Sequence, residues 1–440
     1  MNLRSAKNTS IIDAMNIVGR VALTWLVLLI FSCQPKSPLS DVSGNVNVLI
    51  PKPIDGKTSY TLEPVQLNDI KVLKEMRGNY AEFFYAPGSN EGSLFGTAPQ
   101  ARYSKSPKGF YIPLDMISSQ MATIYFHLQN LIQLNESVDL QNITRKPFQV
   151  GLEVRKTDRE KLYEKNNAFY DGFSDSMLFL PMTTTELSLA LNAGVIAHEF
   201  FHSIFYKKVL GKIKIAGKSI SAESIKTAKN DAELFNLTYA RGLNEGLADF
   251  WGWLYTKDKD FMTLSFAGMQ NSRSLSLAEG AFGAHQRDAD IQNKIKDALE
   301  QLGQTNELLL DYIYLVGTPH ARFLRQLVNL EPNNVAALKT MYRVESDEKK
   351  WIRVVVDFLD QLSSELEANS TKAISAARLF EYVGERSLQE DLLNLEQCKF
   401  ILNYLGDVEK SLSTRAISAN GKELNCEKKT NSEAYEITTR

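Results

Sequence analysis

The sequence predicts an α+β protein, with a mixed β/α N-terminal lobe followed by a mainly helical C-terminal lobe. Short runs with alternating apolar residues, separated by Pro and Gly, fill the stretch from Val46 to about Pro113, as strands and turns do. Longer stretches with helical apolar periodicity dominate after Glu186. The chain beyond its N-terminal apolar run has about 400 residues, which is enough for two or three lobes with their own cores.

Residues 1–33 are predicted to be an export signal. Three basic residues, Arg4, Lys7 and Arg20, precede an apolar run from Val21 to Phe31. This run is too short to cross a bilayer as a stable helix, but it has the length of a signal-peptide core.

The end of this run, Ser32-Cys33, resembles the cleavage box of bacterial lipoproteins. Cys33 would then be the lipid-bearing first residue, and the mature protein would be exported and anchored to a membrane of the bacterial envelope, facing the periplasm or the surface. A simple secretory signal with an incidental cysteine is the alternative, and translation from Met15 would give a more typical signal length. Residues 34–47 have the Pro, Ser and Gly content of a linker.

The N-terminal lobe is expected to span residues 48–185. Its predicted strands are residues 47–50, 60–62, 109–112, 148–154 and 177–180, and its predicted helix is residues 115–133. His127 on that helix is a surface or core histidine in the simplest interpretation.

A helical catalytic lobe is expected at residues 186–330 and a helical C-terminal region at residues 331–440. The first helix is predicted at about Glu186 to Val209, and the last three at residues 351–366, 373–383 and 392–405. Cys398 and Cys426 are the only cysteines besides Cys33, and in an exported chain they could form a disulfide. One buried thiol and one exposed thiol is the alternative.

The motif His198-Glu-x-x-His202 indicates half of a metal site. Residues four apart lie on one face of a helix, so the two imidazoles can reach the same Zn²⁺. Glu199 lies beside them, where it can accept a proton from a metal-activated water without binding the metal. The flanking residues are strongly apolar, so these polar groups need partners. Satisfied core histidines are the alternative interpretation.

A second segment, Asn-Glu-Gly-Leu-Ala-Asp from residue 244 to 249, supplies the missing carboxylate. Glu245 is the expected third ligand, and Asp249, one turn later, can accept the free N–H of a ligating histidine. Gly246 and Ala248 are small enough for this helix to pack closely on the first. Two solvated acids on an ordinary helix are the alternative, but the neighbouring residues are apolar.

These paired segments resemble the gluzincin metallopeptidases of the thermolysin type, whose pattern is H-E-x-x-H followed by N-E-x-x-x-D. The resemblance implies a thermolysin-like fold with zinc in the cleft between the two lobes. Asn167 and Ala168 are similar to the family's edge strand, which binds the substrate chain by adding it to the sheet. The carried-over roles are zinc ligands for His198, His202 and Glu245, general base for Glu199, and a supporting carboxylate for Asp249.

The chain departs from the family pattern after the second histidine. Glu245 follows His202 by 43 residues, a much longer gap than the family has, so Tyr206 to about Lys229 is interpreted as an inserted surface hairpin or loop. The family also stabilises the oxyanion with a histidine that precedes a helix. His320, just after Pro319, is preferred for that role over His285. Tyr239 is a second candidate donor or a core tyrosine. The substrate-binding arginine is left open among Arg273, Arg287 and Arg322.

The function predicted from these residues is zinc-dependent peptide-bond hydrolysis, with a peptide or protein as substrate. The net charge of −2 with interspersed signs gives no reason to expect nucleic acid as a partner. One alternative is a non-catalytic envelope lipoprotein that uses a metallopeptidase-like scaffold for binding. Another is a structural zinc site, although such sites use four protein ligands, commonly cysteines.

Overall fold

The computed structural model describes residues 42–53, 60–85, 96–155, 164–183, 186–215, 218–219, 230–266, 273–276, 307–330, 342–344, 346–368, 371–374, 378–390, 393–408, 418–419 and 422–423. The predicted signal with Cys33 and Met15, most of the predicted linker, and His285, Arg287 and Cys426 lie outside these residues. Residues Ser43–Arg440 form one compact unit. This unit combines sheets and helices, consistent with the predicted α+β class. The strands of its two larger sheets end at Phe179, and the first of the later long helices begins at Ala193.

The strands, in chain order, are β1 (Gly44–Pro53), β2 (Tyr60–Val72), β3 (Arg77–Gly78), β4 (Ala81–Tyr85), β5 (Tyr103–Lys105), β6 (Tyr111–Pro113), β7 (Phe148–Leu152), β8 (Ala168–Asp171), β9 (Ser176–Phe179), β10 (Lys214–Ile215), β11 (Lys218–Ser219), β12 (Ser418–Ala419) and β13 (Lys422–Glu423). The first sheet has the order β3-β2-β1-β6-β5. Its longest pairing is the antiparallel one between β1 and β2, with Val48 opposite Val65. Val46, Val48 and Ile50 alternate with more exposed residues and bury one face of the sheet. The prediction of a linker up to residue 47 is wrong at its end, because β1 already begins at Gly44.

The second sheet has the order β4-β7-β9-β8. Strands β4, β7 and β9 are parallel, whereas β8 runs antiparallel to β9. Every residue of β7 and β9 is buried, as expected of central strands covered on both faces. Strand β8 therefore forms an edge of this sheet, and the segment around Asn167 and Ala168 lies where an edge strand is expected.

The helices are α1 (Met116–Glu136), α2 (Ala193–Phe205), α3 (Asp231–Thr256), α4 (Glu307–Asn329), α5 (Ser346–Ala368), α6 (Arg378–Glu390) and α7 (Leu395–Val408). The predicted start of the first catalytic helix near Glu186 is wrong. A short 3₁₀ turn at Leu189–Leu191 comes first, and the side chain of Asn192 then caps α2 by accepting from the N–H groups of Gly194 and Val195.

The segment after α2 differs in part from the predicted insertion. Tyr206–Leu210 continues α2 as one π-helical turn, and only then do β10 and β11 form a small hairpin. Residues 220–229 lie outside the described part of the chain. Tyr206 thus belongs to the helical layer and not to a surface loop.

Helix α1 packs against both the first sheet and α2, and it is capped by Asp115, whose side chain accepts from Ser118 N–H. His127 on α1 is 2% exposed, so it is a core histidine. Its Nδ1 lies 2.9 Å from the hydroxyl of Tyr255 on α3. Burial lowers the pKa of His127 to about 3, so the ring is neutral in the folded protein.

The last helices extend the helical part of the molecule. Trp351 and Phe358 of α5 are fully buried, as the apolar sequence of this segment predicts. Cys398 on α7 is buried and disulfide-bonded, while its predicted partner Cys426 lies outside the described residues. No helix in the described ranges is long and apolar enough to cross a membrane.

Candidate metal centre

Helix α2 presents two histidines to one point. The residues around them are almost completely buried, which fixes the rotation of the helix: Val195, Ile196, Ala197, Phe200 and Phe201. His198 and His202 are one turn apart, and their ring centroids lie 4.5 Å from each other. Their side chains are 2% and 11% exposed. The imidazoles therefore face an enclosed space and not bulk solvent.

Helix α3 brings a carboxylate to the same point. Oε2 of Glu245 lies 3.5 Å from Nε2 of His198, and Oε1 lies 3.6 Å from Nε2 of His202. Ligand atoms about 2 Å from a tetrahedral zinc lie roughly 3.3 Å from one another, so these separations need little adjustment. His198, His202 and Glu245 therefore form a group that could hold a metal ion, as predicted.

The outer nitrogens of both rings have partners on α3. Nδ1 of His202 lies 2.9 Å from Oδ1 of Asn244. Nδ1 of His198 lies 3.0 Å from Oδ1 of Asp249, a hydrogen-bonding distance although the approach is not linear. An amide or carboxylate oxygen at Nδ1 favours a proton there, which leaves Nε2 free as a ligand. Asn244 was not predicted, although its place beside Glu245 in the motif was available as a signal.

The charged groups around the site favour the ionised form of its carboxylates. Burial alone would raise the pKa of Glu245, but His202, His198 and Arg273 outweigh it and hold the pKa well below its usual range. Burial also opposes ionisation of Asp249, yet Arg273 and His198 lower its pKa. Burial would lower the pKa of His198, but Asp249 and Glu245 raise it to about 9. The carboxylates of Glu245 and Asp249 are thus ionised beside the two imidazoles, as metal binding requires.

Glu199 lies beside the three candidate ligands without joining them. Its side chain is 5% exposed and lines the cavity in front of the histidines. Among the described residues, its buried Oε2 has no hydrogen-bond partner. Such an orphaned oxygen is costly unless a ligand or water satisfies it, as a base that acts on a bound water requires.

Of the three arginines left open by the sequence, Arg273 is the one that the structure places at the site. Its guanidinium makes two hydrogen bonds to Asp249, at 3.1 Å and 2.7 Å, and lies 3.4 Å from Glu245 Oε2. It also lies 4.3 Å from the ring centroid of Tyr314 on α4. Of the two other arginines left open, Arg322 instead donates to the carbonyl of Ser274, and Arg287 lies outside the described residues.

A cavity of about 580 Å³ opens in front of these groups. The edge strand β8 and the residues before it form one wall, and α2 and α3 form the other. Asn167 and Ala168 line this cavity together with His198, Glu199, His202 and Glu245. Residues of a strand that is terminal in its sheet, among the described strands, therefore line the same cavity as the candidate metal ligands.

The two predicted oxyanion donors are placed elsewhere. His320 lies inside α4 and not before a helix, because α4 continues through Pro319. It is 3% exposed, its Nδ1 lies 2.7 Å from the carbonyl oxygen of Val316, and its ring stacks on Phe380. Tyr239 is fully buried, with its hydroxyl 3.5 Å from Nε2 of His320. Neither residue is among the described residues that line the cavity.

His320 was predicted to act at the metal site, but the side chain of α4 that reaches the cavity, among the described residues, is Tyr314. It lines the cavity wall and packs against Arg273. Burial, together with the nearby Glu245, raises the pKa of its hydroxyl, so the phenol keeps its proton and remains a donor. No pattern in the sequence separates Tyr314 from the other tyrosines, because its position depends on how α4 packs on α3.

Gly246 and Gly317 bring α3 and α4 into backbone contact. A Cβ added at Gly246 would overlap the carbonyl group of Gly317 and lie 2.6 Å from its Cα. The prediction that Gly246 makes room for α2 is therefore wrong, since the close neighbour is α4. This contact fixes α4, and with it Tyr314, relative to Glu245.

Comparison with known proteins adds no relative. No protein-family profile matches this chain, and no curated protein sequence matches it at a significant level. The resemblance to thermolysin-type peptidases thus rests on the residues of the site.

Proposed function

We propose that this chain is a zinc-dependent peptide hydrolase of the gluzincin type with a thermolysin-like arrangement of its lobes. The observation that carries the proposal is the convergence of His198, His202 and Glu245, whose ligand atoms lie within 4.8 Å of one another. Two imidazole nitrogens and one carboxylate oxygen are a donor set that zinc prefers. Three protein ligands are typical of catalytic zinc sites, whereas structural sites use four.

Zinc held by these residues would polarise a substrate carbonyl and acidify a water molecule. Glu199 acts as the general base, accepts the proton of the attacking water, and passes it to the leaving nitrogen. Its buried and unpartnered Oε2 supports this role among the residues that the structure describes. Asp249 and Asn244 hold the two imidazoles by their outer nitrogens.

Two side chains donate hydrogen bonds to carbonyl groups of the substrate. The hydroxyl of Tyr314 donates to the oxygen on which negative charge develops, because the phenol stays protonated and lines the cavity. Arg273, held by Asp249, donates to a neighbouring carbonyl of the substrate chain. These residues replace His320 and Tyr239 in the proposed mechanism.

The substrate is a peptide in extended conformation. Among the described strands, β8 pairs only with β9, and residues 168–170 of β8 line the cavity. An extended chain can add to the edge of such a strand through main-chain hydrogen bonds. Asn167 and Ala168 at the start of β8 are the proposed substrate-binding positions.

The test compares Glu199→Gln with the unchanged protein. We expect both to bind one zinc per chain by elemental analysis, while cleavage of a mixed peptide library, followed by mass spectrometry, falls about a thousandfold in the variant. Glu367→Gln, at an exposed position on α5, is the matched control and should cleave normally. Undiminished cleavage by the Glu199 variant would refute the mechanism. A zinc-loaded protein that binds peptides without cleaving them would instead favour the non-catalytic scaffold.

We also propose that the enzyme is exported and tethered to the bacterial envelope through a lipid on Cys33. The proposal rests on the signal-like residues 1–33 and the cysteine at their end. In a bacterial host, labelled palmitate should be incorporated into the protein, and Cys33→Ser should abolish the labelling and release the protein from the membrane fraction. Labelling that persists in this variant would exclude Cys33 as the attachment site.

A further inference from the structure

Arg241 is a cation in the cavity that the proposed mechanism does not use. It precedes Glu245 by one turn of α3, so both side chains lie on the same face of the helix, and both line the cavity. Its side chain is half-buried. Among the described residues, Arg241 makes no hydrogen bond and no ion pair. Arg273, by contrast, is paired twice with Asp249.

An unpaired guanidinium in a partly buried place is unfavourable unless something supplies its counter-charge. Burial lowers the pKa of Arg241, although Glu245 and Tyr314 act in the opposite direction. Glu245 is directed at the two histidines and makes no ion pair with Arg241. The missing partner is therefore expected to come from a ligand in the cavity.

The position of Arg241 relative to the candidate metal ligands indicates where that partner lies. Asn244 contacts His202, and Asp249 contacts His198 and Arg273. Arg241 therefore lies beyond the His202 end of the site, and Arg273 lies at the His198 end. One helical turn is about 5.4 Å, so Arg241 can reach a group within about two residues of the bond that is cleaved.

The remaining charges of the cavity wall favour an anion in the cavity. Lys165 is exposed, lines the cavity and also makes no ion pair among the described residues. The acids of the wall, Glu199 and Glu245, lie at the metal site itself. Arg241 and Lys165 thus line the cavity as cations that have no ion-pair partner in the part of the chain that the structure describes.

We propose that Arg241 binds a carboxylate of the substrate, so that the enzyme prefers peptides with an acidic group close to the scissile bond. This inference rests on the proposed peptide hydrolysis and specifies its substrate class. The carboxylate can belong to an Asp or Glu side chain or to the C-terminus of a short substrate. A guanidinium recognises both through paired, charge-assisted hydrogen bonds.

The experiment uses matched peptides and the full zinc-loaded protein. One series replaces Gln by Glu at each position around the cleaved bond, and a second series compares a free C-terminal acid with its amide. We expect kcat/KM to be about 10- to 100-fold higher for the acidic member at one position or at the C-terminus. The series in which the preference appears identifies the source of the carboxylate.

Variants at position 241 assign the preference to this side chain. In Arg241→Gln the ratio of kcat/KM between acidic and neutral peptides should fall close to one, and Arg241→Lys should restore part of it. Arg102→Gln removes an exposed arginine outside the cavity wall and should leave the ratio unchanged. If Arg241→Gln does not fold, the lysine variant and the peptide series in the unchanged protein still decide the outcome.

Binding measurements separate this inference from the proposed function. Affinities of the same peptides for the Glu199→Gln protein, measured by titration calorimetry, should show the same acidic preference without any turnover. Peptides that are cleaved with equal efficiency in acidic and neutral form would overturn the role of Arg241 and leave peptide hydrolysis standing. An acidic preference in binding without cleavage by the unchanged protein would overturn hydrolysis and support Arg241.

Discussion

Replacing Gly246 by Ala tests whether the contact between α3 and α4 determines the position of Tyr314 relative to Glu245. The new Cβ would overlap the carbonyl group of Gly317 and lie 2.6 Å from its Cα, whereas carbon atoms pack best at about 3.5–4.0 Å. The obstacle is backbone and not a flexible side chain, so α4 must move by about 1 Å to restore this spacing. Overpacking of this kind costs about 1–3 kcal/mol, and the helix propensity of Ala returns only about 0.5–1 kcal/mol.

The expected result is a net loss of about 1–2 kcal/mol in the free energy of unfolding, measured by urea denaturation. Tyr314 moves with α4, so kcat/KM should also fall, by about 10- to 100-fold for a displacement near 1 Å. A Cβ in Gly317→Ala would meet the carbonyl of Gly242 and the backbone of Gly246 at the same helix crossing, so the two effects should not add in the double variant. A Gly246→Ala protein as stable and active as the unchanged one would refute the reasoning. The higher helix propensity of Ala would then outweigh the cost of overpacking between α3 and α4.

Three further perturbations probe the site and the core. Asp249→Asn removes the carboxylate that holds His198 and Arg273, so zinc affinity measured by chelator competition should fall about 10- to 100-fold, and unchanged affinity would contradict this role. Tyr314→Phe should retain zinc and lower kcat about 100-fold, and a change of less than about threefold would exclude the hydroxyl as a donor. His127 has a folded pKa of about 3 and an unfolded pKa near 6.5, so its contribution to stability is complete above pH 6.5 and is lost as the pH falls toward 3. Between pH 7 and pH 5 the free energy of unfolding should fall by about 2 kcal/mol more in the unchanged protein than in His127→Gln, as measured by denaturation at both pH values. Equal decreases would show that the pKa of His127 is the same in the folded and unfolded protein.

The part of the site that the sequence predicts depends on local periodicity. His198 and His202 share a helix face because they are four residues apart, and Glu245 and Asp249 share another for the same reason. The class of the fold is likewise visible in the alternation of the early strands and the longer periods of the later helices. Such patterns depend only on neighbours along the chain.

The remaining features depend on contacts between distant segments. Pro319 suggested that a helix begins near His320, but α4 starts at Glu307 and continues through the proline while packed on α3. Tyr314 reaches the cavity because of that packing, Arg273 is held there by Asp249, and no spacing in the sequence marks either position. For Arg241, the sequence shows that it lies one helical turn before Glu245. Only the structure shows that it has no ion-pair partner among the described residues.

The arrangement of the candidate ligands has a consequence for how the protein matures. Glu245 and Asp249 are ionised beside His198 and His202, and Arg273 pairs with Asp249. These ligands converge only in the folded chain, so uptake of zinc and completion of the native state are expected to be coupled. For a chain exported as proposed, the last step of its biogenesis would then take place beyond the cytoplasmic membrane, and zinc supply there would determine how much active enzyme accumulates.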